Sequence, residues 1–210
     1  MASTKANGFS LLELMITLSI TIIMCAVATI TMQPMITQQH VVNAYNTTLT
    51  ALRRAHDQAA SDMRVYQVTF SPPVAGVNGG TITVTQDIPT APVLFAATLP
   101  VDVTFHVEPG VPTSPTTAPT TPDGFGSAAN TFDFDQPPGG TGGDNIIYFY
   151  PDGSAQDAGP NGGNIESGVV YFGIPGNLSS CRAITLWGYT GRIRGWRLYQ
   201  KSGAWSWSQQ

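Results

Sequence analysis

Charged residues are scarce in this sequence of 210 residues, and they are unevenly placed. Only 10% of the residues are charged, and no lysine or arginine lies between Lys5 and Arg53. From Asp87 to Glu166 there are ten acids and no basic residue. After Glu166 there is no acid, and the five cations are Arg182, Arg192, Arg194, Arg197 and Lys201. This asymmetry favours an interaction surface at the basic end.

Cysteine is scarce too, and no residue pattern points to chemistry. The chain has two cysteines, Cys25 in an apolar segment and Cys181 far along the sequence, which excludes a disulfide framework. The three histidines lack the H-x-x-x-H spacing of a zinc site, and no acidic stretch matches a calcium loop. We therefore expect no catalytic site, no metal site and no cofactor, and we expect the protein not to be an enzyme.

One long uncharged run dominates the amino-terminal part of the chain. The nineteen residues from Leu14 to Met32 carry no charge, and as a helix they would extend about 28 Å, enough to cross a hydrocarbon core. Glu13 lies at the entry of this run, where a carboxylate is costly unless a cation pairs with it. Cleavage between Gly8 and Phe9 would create an amino group one helical turn before Glu13.

The stretch GFSLLEL, which contains these residues, resembles the processing site of type IV prepilins and type II secretion pseudopilins. The resemblance implies that a prepilin peptidase cleaves after Gly8 and methylates the new amino terminus at Phe9. It also implies that Glu13 meets the amino group of a neighbouring subunit during assembly with other pilins or pseudopilins in the inner membrane.

Two other interpretations of the apolar run remain open. A secretory signal peptide would be cleaved after an A-x-A site, which Ala26-Val27-Ala28 supplies. However, Glu13 interrupts that signal region, and helical patterning continues beyond the supposed cut. An ordinary uncleaved membrane anchor would explain the length of the run, but not the combination of Gly8, Phe9 and Glu13.

Beyond the apolar run, the pattern predicts a helix followed by a β-rich domain. Apolar residues recur every three to four positions from Val41 to Met63, so the helix continues past Pro34 as an amphipathic segment. The predicted organisation is a leader at 1–8, a transmembrane half-helix at 9–33, an amphipathic half-helix at 34–64 and a periplasmic domain at 65–210, with a Pro/Thr-rich insert near 109–122.

After Arg64 the apolar period changes from 3.6 to 2, which is typical of strands. Strands are predicted at 66–70, 82–88, 101–107, 131–135, 146–150, 168–174, 183–187 and 192–199. The segments YFYPDGSA and GRIRGW are similar to those of the pseudopilin H and FimT-type minor pilin family. This resemblance implies an α+β fold of the type IV pilin kind, with a long N-terminal helix packed against antiparallel β-sheets.

The basic end carries the candidate binding residues. FimT-type members use a GRxR stretch here for DNA, and in this sequence it stands as Gly191 to Arg194. Arg192, Arg194, Trp196 and Arg197 are therefore candidate ligands of double-stranded DNA, since guanidinium groups and aromatic rings suit phosphates and bases. Contact with the acidic face of another subunit is the competing interpretation. A third is a glycan-binding surface built on Trp205 and Trp207.

Overall fold

The computed structural model describes residues 9–87, 92–112, 121–126, 130–136, 144–157 and 163–210. The predicted leader, Ile88 and most of the Pro/Thr-rich insert lie outside these residues. The chain divides into two compact units, Met1–Gln39 and His40–Gln210. One helix, α1 (Leu11–Asp62), contributes residues to both units, and Pro34 lies within it without ending it.

The first unit consists of the apolar half of α1. This helix is long and apolar enough to cross a membrane, and none of its most apolar window is buried inside the protein. Its large apolar side chains from Leu11 to Val27 are exposed, as are Met32, Met35 and Ile36. A helix that is apolar all round needs an apolar environment, so this half of α1 fits a membrane-anchored protein.

In the second unit, the rest of α1 packs on a β-domain through small side chains. Ala44, Ala51, Ala55 and Ala59 are buried, and their size lets the helix approach the sheets closely. Here the predicted amphipathic pattern is confirmed, except at its end. Met63 is exposed and has a φ of 54°, so the chain leaves the helix before this residue.

Eleven strands follow in the described part of the chain. They are β1 (Tyr66–Ser71), β2 (Thr81–Gln86), β3 (Val93–Thr98), β4 (Thr104–Phe105), β5 (Phe132–Gln136), β6 (Ile146–Phe149), β7 (Ala155–Gln156), β8 (Ser167–Ile174), β9 (Asn177–Trp187), β10 (Arg192–Lys201) and β11 (Ala204–Gln209). One sheet has the order β3-β2-β1-β6-β7, and the other has the order β11-β10-β9-β8-β4 with β5 also on β8. All pairings are antiparallel. The predicted α+β architecture is confirmed.

The prediction of a strand at 101–107 is wrong over most of its length. The main-chain NH of Val103 donates to the carbonyl of Pro100 at 3.1 Å, which forms a turn, and only Thr104–Phe105 pairs as a strand. Strands β3, β7 and β11 were not predicted. Of these, β3 pairs with β2 at the edge of its sheet. Its sequence, VLFAAT, does not alternate between apolar and polar residues, so the period gave no signal.

Two apolar clusters hold the second unit together. The larger cluster joins α1 to both sheets and includes Leu52, Phe70, Phe149 and Phe172. The smaller cluster lies on the opposite face of the β8–β9–β10 sheet and includes Tyr171, Leu198 and Trp207. As a result, β9 and β10 have one face toward the helix and one face away from it, and alternate residues of these strands belong to different environments.

Candidate functional site

The predicted assembly site lies at the start of α1. Glu13 is in the first turn of the helix, where a carboxylate is favoured by the unsatisfied NH groups of the helix end. Phe9, four residues earlier, is exposed, as is Glu13. Gly8, the residue predicted to precede the cleavage site, lies outside the described residues.

Residues 3–29 match the family described as a prokaryotic N-terminal methylation motif. This match covers Gly8, Phe9, Glu13 and most of the uncharged run. The amino-terminal segment thus carries a type IV prepilin motif, which supports a type IV pilin-like protein. Such a motif implies processing by a prepilin peptidase and assembly with other pilins. No curated protein and no solved structure is significantly similar to this chain.

The candidate residues at the basic end are divided between the two faces of β10. Arg192 is paired in register with Trp187, Arg194 with Thr185, and Arg197 with Arg182. Because side chains alternate along a strand, Arg192, Arg194 and Trp196 lie on the face away from α1. Arg197 lies on the helix side. The four predicted DNA ligands therefore do not form one surface.

Arg194 belongs to a polar network that includes Asp123, a residue on the loop before β5. Its Nη1 donates to Oδ1 of Asp123 at 2.8 Å, and Thr185 Oγ1 donates to the other carboxylate oxygen at 2.6 Å. Trp196 Nε1 in turn donates to Thr185 Oγ1 at 3.0 Å. The side chain of Asp123 is only 6% exposed and that of Arg194 is 28% exposed. The charge of Arg194 is therefore largely compensated within the chain.

Arg192 is the exposed cation of this face. Its guanidinium carbon lies 5.0 Å from the ring centroid of Trp187, within the range of a cation–π contact. Trp187 also meets Phe125 in an edge-to-face contact, with the ring centroids 4.9 Å apart. Arg192 is exposed and keeps its charge at the surface.

Arg197, on the helix side, lies opposite another arginine. Its partner in register, Arg182, is 7% exposed. Burial, and then the charge of Arg197, lower the pKa of Arg182 to about 10. By composition Arg182 belongs with the other carboxyl-terminal cations, but nothing in the sequence shows that it is buried on the helix side of the sheet.

The two tryptophans proposed for glycan binding belong to the smaller apolar cluster. Trp207 is buried, and its ring centroid lies 5.9 Å from that of Tyr171. Trp205 is partly buried against the same cluster. A buried ring cannot stack on a sugar, so the burial of Trp207 contradicts the glycan interpretation at this residue.

The acidic middle of the chain is engaged in turns and local pairs. Asp152 and Asp144 each accept a main-chain NH from the residue two positions on, at 2.9 and 3.1 Å, as turn residues do. Glu108 accepts from His106 Nε2 at 2.7 Å and from the main-chain NH of Gly176. The hydrogen bond from His106 is the main cause that holds the pKa of Glu108 below its usual range.

Proposed function

We propose that this protein is a minor pilin or pseudopilin that acts by assembly and not by catalysis. In this proposal it is a structural or priming subunit of a type II secretion pseudopilus or a type IV pilus. The single observation that carries the proposal is the match of residues 3–29 to the methylation motif, on a helix that continues into the core of an antiparallel β-domain. This is the layout expected of a filament subunit with a membrane-embedded helix.

The proposal places the chain in the bacterial inner membrane, with the domain after α1 in the periplasm. The peptidase cleaves between Gly8 and Phe9, and Phe9 receives the methyl group. Intact-mass analysis of membrane-extracted protein should show loss of residues 1–8 and gain of one methyl group. A mature terminus at Thr29 would show instead that the apolar run is a signal peptide.

Glu13 is the proposed assembly residue. Glu13→Val should leave insertion and processing intact, because it removes a carboxylate that is costly near bilayer depth, but it should reduce incorporation into a filament. The measurement is cross-linking to the major subunit in intact cells, with Ser10→Ala, which also changes a polar residue at the start of the helix, as the matched control. Equal incorporation of Glu13→Val and the parent would contradict the assigned role.

DNA capture during uptake, as in FimT-type minor pilins, is the second candidate function. The observation that favours it is Arg192, an exposed guanidinium beside the ring of Trp187. Three phosphate contacts would give a log–log salt slope of about −3. With Arg194 paired to Asp123 and Arg197 on the other face, one contact remains on this face, and the expected slope is about −1. Gel retardation by the detergent-solubilised chain at several salt concentrations measures this slope, and the absence of retardation at low salt would exclude DNA capture.

A further inference from the structure

Arg182 is a buried cation with no carboxylate partner among the described residues. It is 7% exposed, and its Nη1 donates only to the main-chain carbonyls of Ser180 and Cys181, at 3.4 and 3.2 Å. These distances are at or beyond the long end of the hydrogen-bond range. Buried arginines are normally paired, because an ion that leaves water loses several kcal/mol of solvation. Within the described part of the chain, Arg182 therefore has no anionic partner.

A second arginine increases the electrostatic cost of burying Arg182 without an anion. Arg197 is directly opposite Arg182 in the β9–β10 register, and like charges at directly opposed positions destabilise a sheet. Arg197 itself is exposed, so one cation of the pair is accessible from outside while its cross-strand neighbour is buried. An anion bound between them would relieve both the repulsion and the missing partner.

The third polar group near Arg182 is the hydroxyl of Tyr45, a residue of α1. Tyr45 lies over Gly195, the residue between Ile193 and Arg197 on the helix side, and a Cβ at Gly195 would overlap the Tyr45 hydroxyl. Burial raises the pKa of Tyr45, while the charges of Arg53 and Arg182 act in the opposite direction. Tyr45 is thus a protonated hydrogen-bond donor beside the cations.

The acids of this chain do not supply the missing anion within the described structure. No acid follows Glu166 in the sequence. In the middle of the chain, Asp123 is paired with Arg194, Glu108 with His106 and Asp102 with His40. Among the described residues no acid forms an ion pair with Arg182, so a carboxylate of another molecule is a candidate partner.

We propose that Arg182, Arg197 and Tyr45 together receive a side-chain carboxylate from an adjacent pilin-like subunit in the filament. This inference rests on the proposed function, because it needs an assembled neighbour. Arg197 is exposed and Arg182 is 7% exposed, so the partner would reach the pair from the side of Arg197. Planar guanidinium groups also suit bidentate recognition of a carboxylate.

The variant that tests this inference is Arg197→Glu in the full chain. It places a carboxylate opposite Arg182, so an acid within the chain would occupy the site that the neighbour is proposed to fill. We expect the melting temperature to rise by about 2 to 4 °C, the usual effect of one modest stabilising pair in a protein of this size. We also expect incorporation, measured by cross-linking to the major subunit, to fall at least about tenfold, as for the loss of a buried charge pair at an interface.

Lys201→Glu is the matched control, because it makes the same charge change at an exposed position of the same strand. It should leave both quantities near those of the parent. The inference is overturned if Arg197→Glu fails to raise the melting temperature, if it is incorporated as well as the parent, or if Lys201→Glu reproduces both effects. It is also overturned if Arg197→Glu abolishes DNA retardation but not incorporation, since the anion is then a phosphate. Failure of the parent chain itself to enter a filament would instead refute the proposed function.

Discussion

The ion pair between Asp123 and Arg194 gives a quantitative test of what the basic face does. The informative change is Asp123→Asn, because Asp123 has a φ of 53°, and asparagine tolerates this left-handed conformation as well as aspartate does. The substitution keeps the shape of the side chain and one acceptor oxygen, and it removes the charge. Any loss of stability then reports on the contacts of the carboxylate with Arg194 and Thr185 and not on the backbone.

The expected magnitude follows from the burial of the two partners. Hydrogen bonds to charged groups contribute about 1.5 to 3 kcal/mol. Because Arg194 is 28% exposed, water replaces part of the lost interaction, and we expect a loss of about 2 kcal/mol in the free energy of unfolding. For a protein of this size that corresponds to a decrease of about 4 to 8 °C in the melting temperature.

Thermal unfolding of the detergent-solubilised chain, followed by near-ultraviolet circular dichroism, is a suitable assay, because Trp196 is linked to Asp123 through Thr185. Arg194→Gln should cost about as much as Asp123→Asn. The double variant should cost about 1 kcal/mol less than the sum, because the two residues share one interaction. Arg192→Gln, a change at an exposed arginine, is the control and should cost less than about 1 kcal/mol.

An unchanged melting temperature of Arg194→Gln would contradict a stabilising ion pair. Fully additive effects of Asp123→Asn and Arg194→Gln would contradict it too. In either case Arg194 would be free for an external ligand, and the expected DNA salt slope would return toward about −2.

Three further outcomes can be measured. Gly195→Ala should destabilise the second unit by about 1 to 3 kcal/mol, because a Cβ at this position would overlap the Tyr45 hydroxyl. A melting temperature equal to that of the parent would contradict the packing of α1 on β10. The lowered pKa of Glu108 stabilises the fold above the ordinary carboxyl pKa of about 4.3, and this stability is lost as the pH falls through the lower pKa of the folded state. Glu108→Gln should therefore reduce the loss of stability at acid pH. An unchanged loss of stability at acid pH in Glu108→Gln would refute this contribution of Glu108. Arg192→Gln should remove the one-unit salt slope of DNA retardation while Lys201→Gln keeps it, and retention of the slope in Arg192→Gln would assign any binding to other cations.

Local sequence patterns were sufficient to predict those segments in which one physical requirement dominates the choice of residues. An uncharged run long enough to cross a bilayer predicted the apolar half of α1, and the carboxylate at its entry predicted the site that the methylation motif covers. The hairpin of β1 and β2 was also predicted, because one face of each strand is buried and the apolar period follows that burial. Strand β3 at the sheet edge gave no such alternation, and it was missed.

Only the tertiary structure decided what the carboxyl-terminal arginines do. The sequence places Arg192, Arg194 and Arg197 within six residues of one another, and their strand position was predicted correctly. Their roles differ because of partners elsewhere in the chain: Asp123 neutralises Arg194, and Arg182 lies opposite Arg197 on the other face. A one-residue step along a strand moves a side chain from one face to the other, and the contents of each face are set by long-range packing, which no local pattern records.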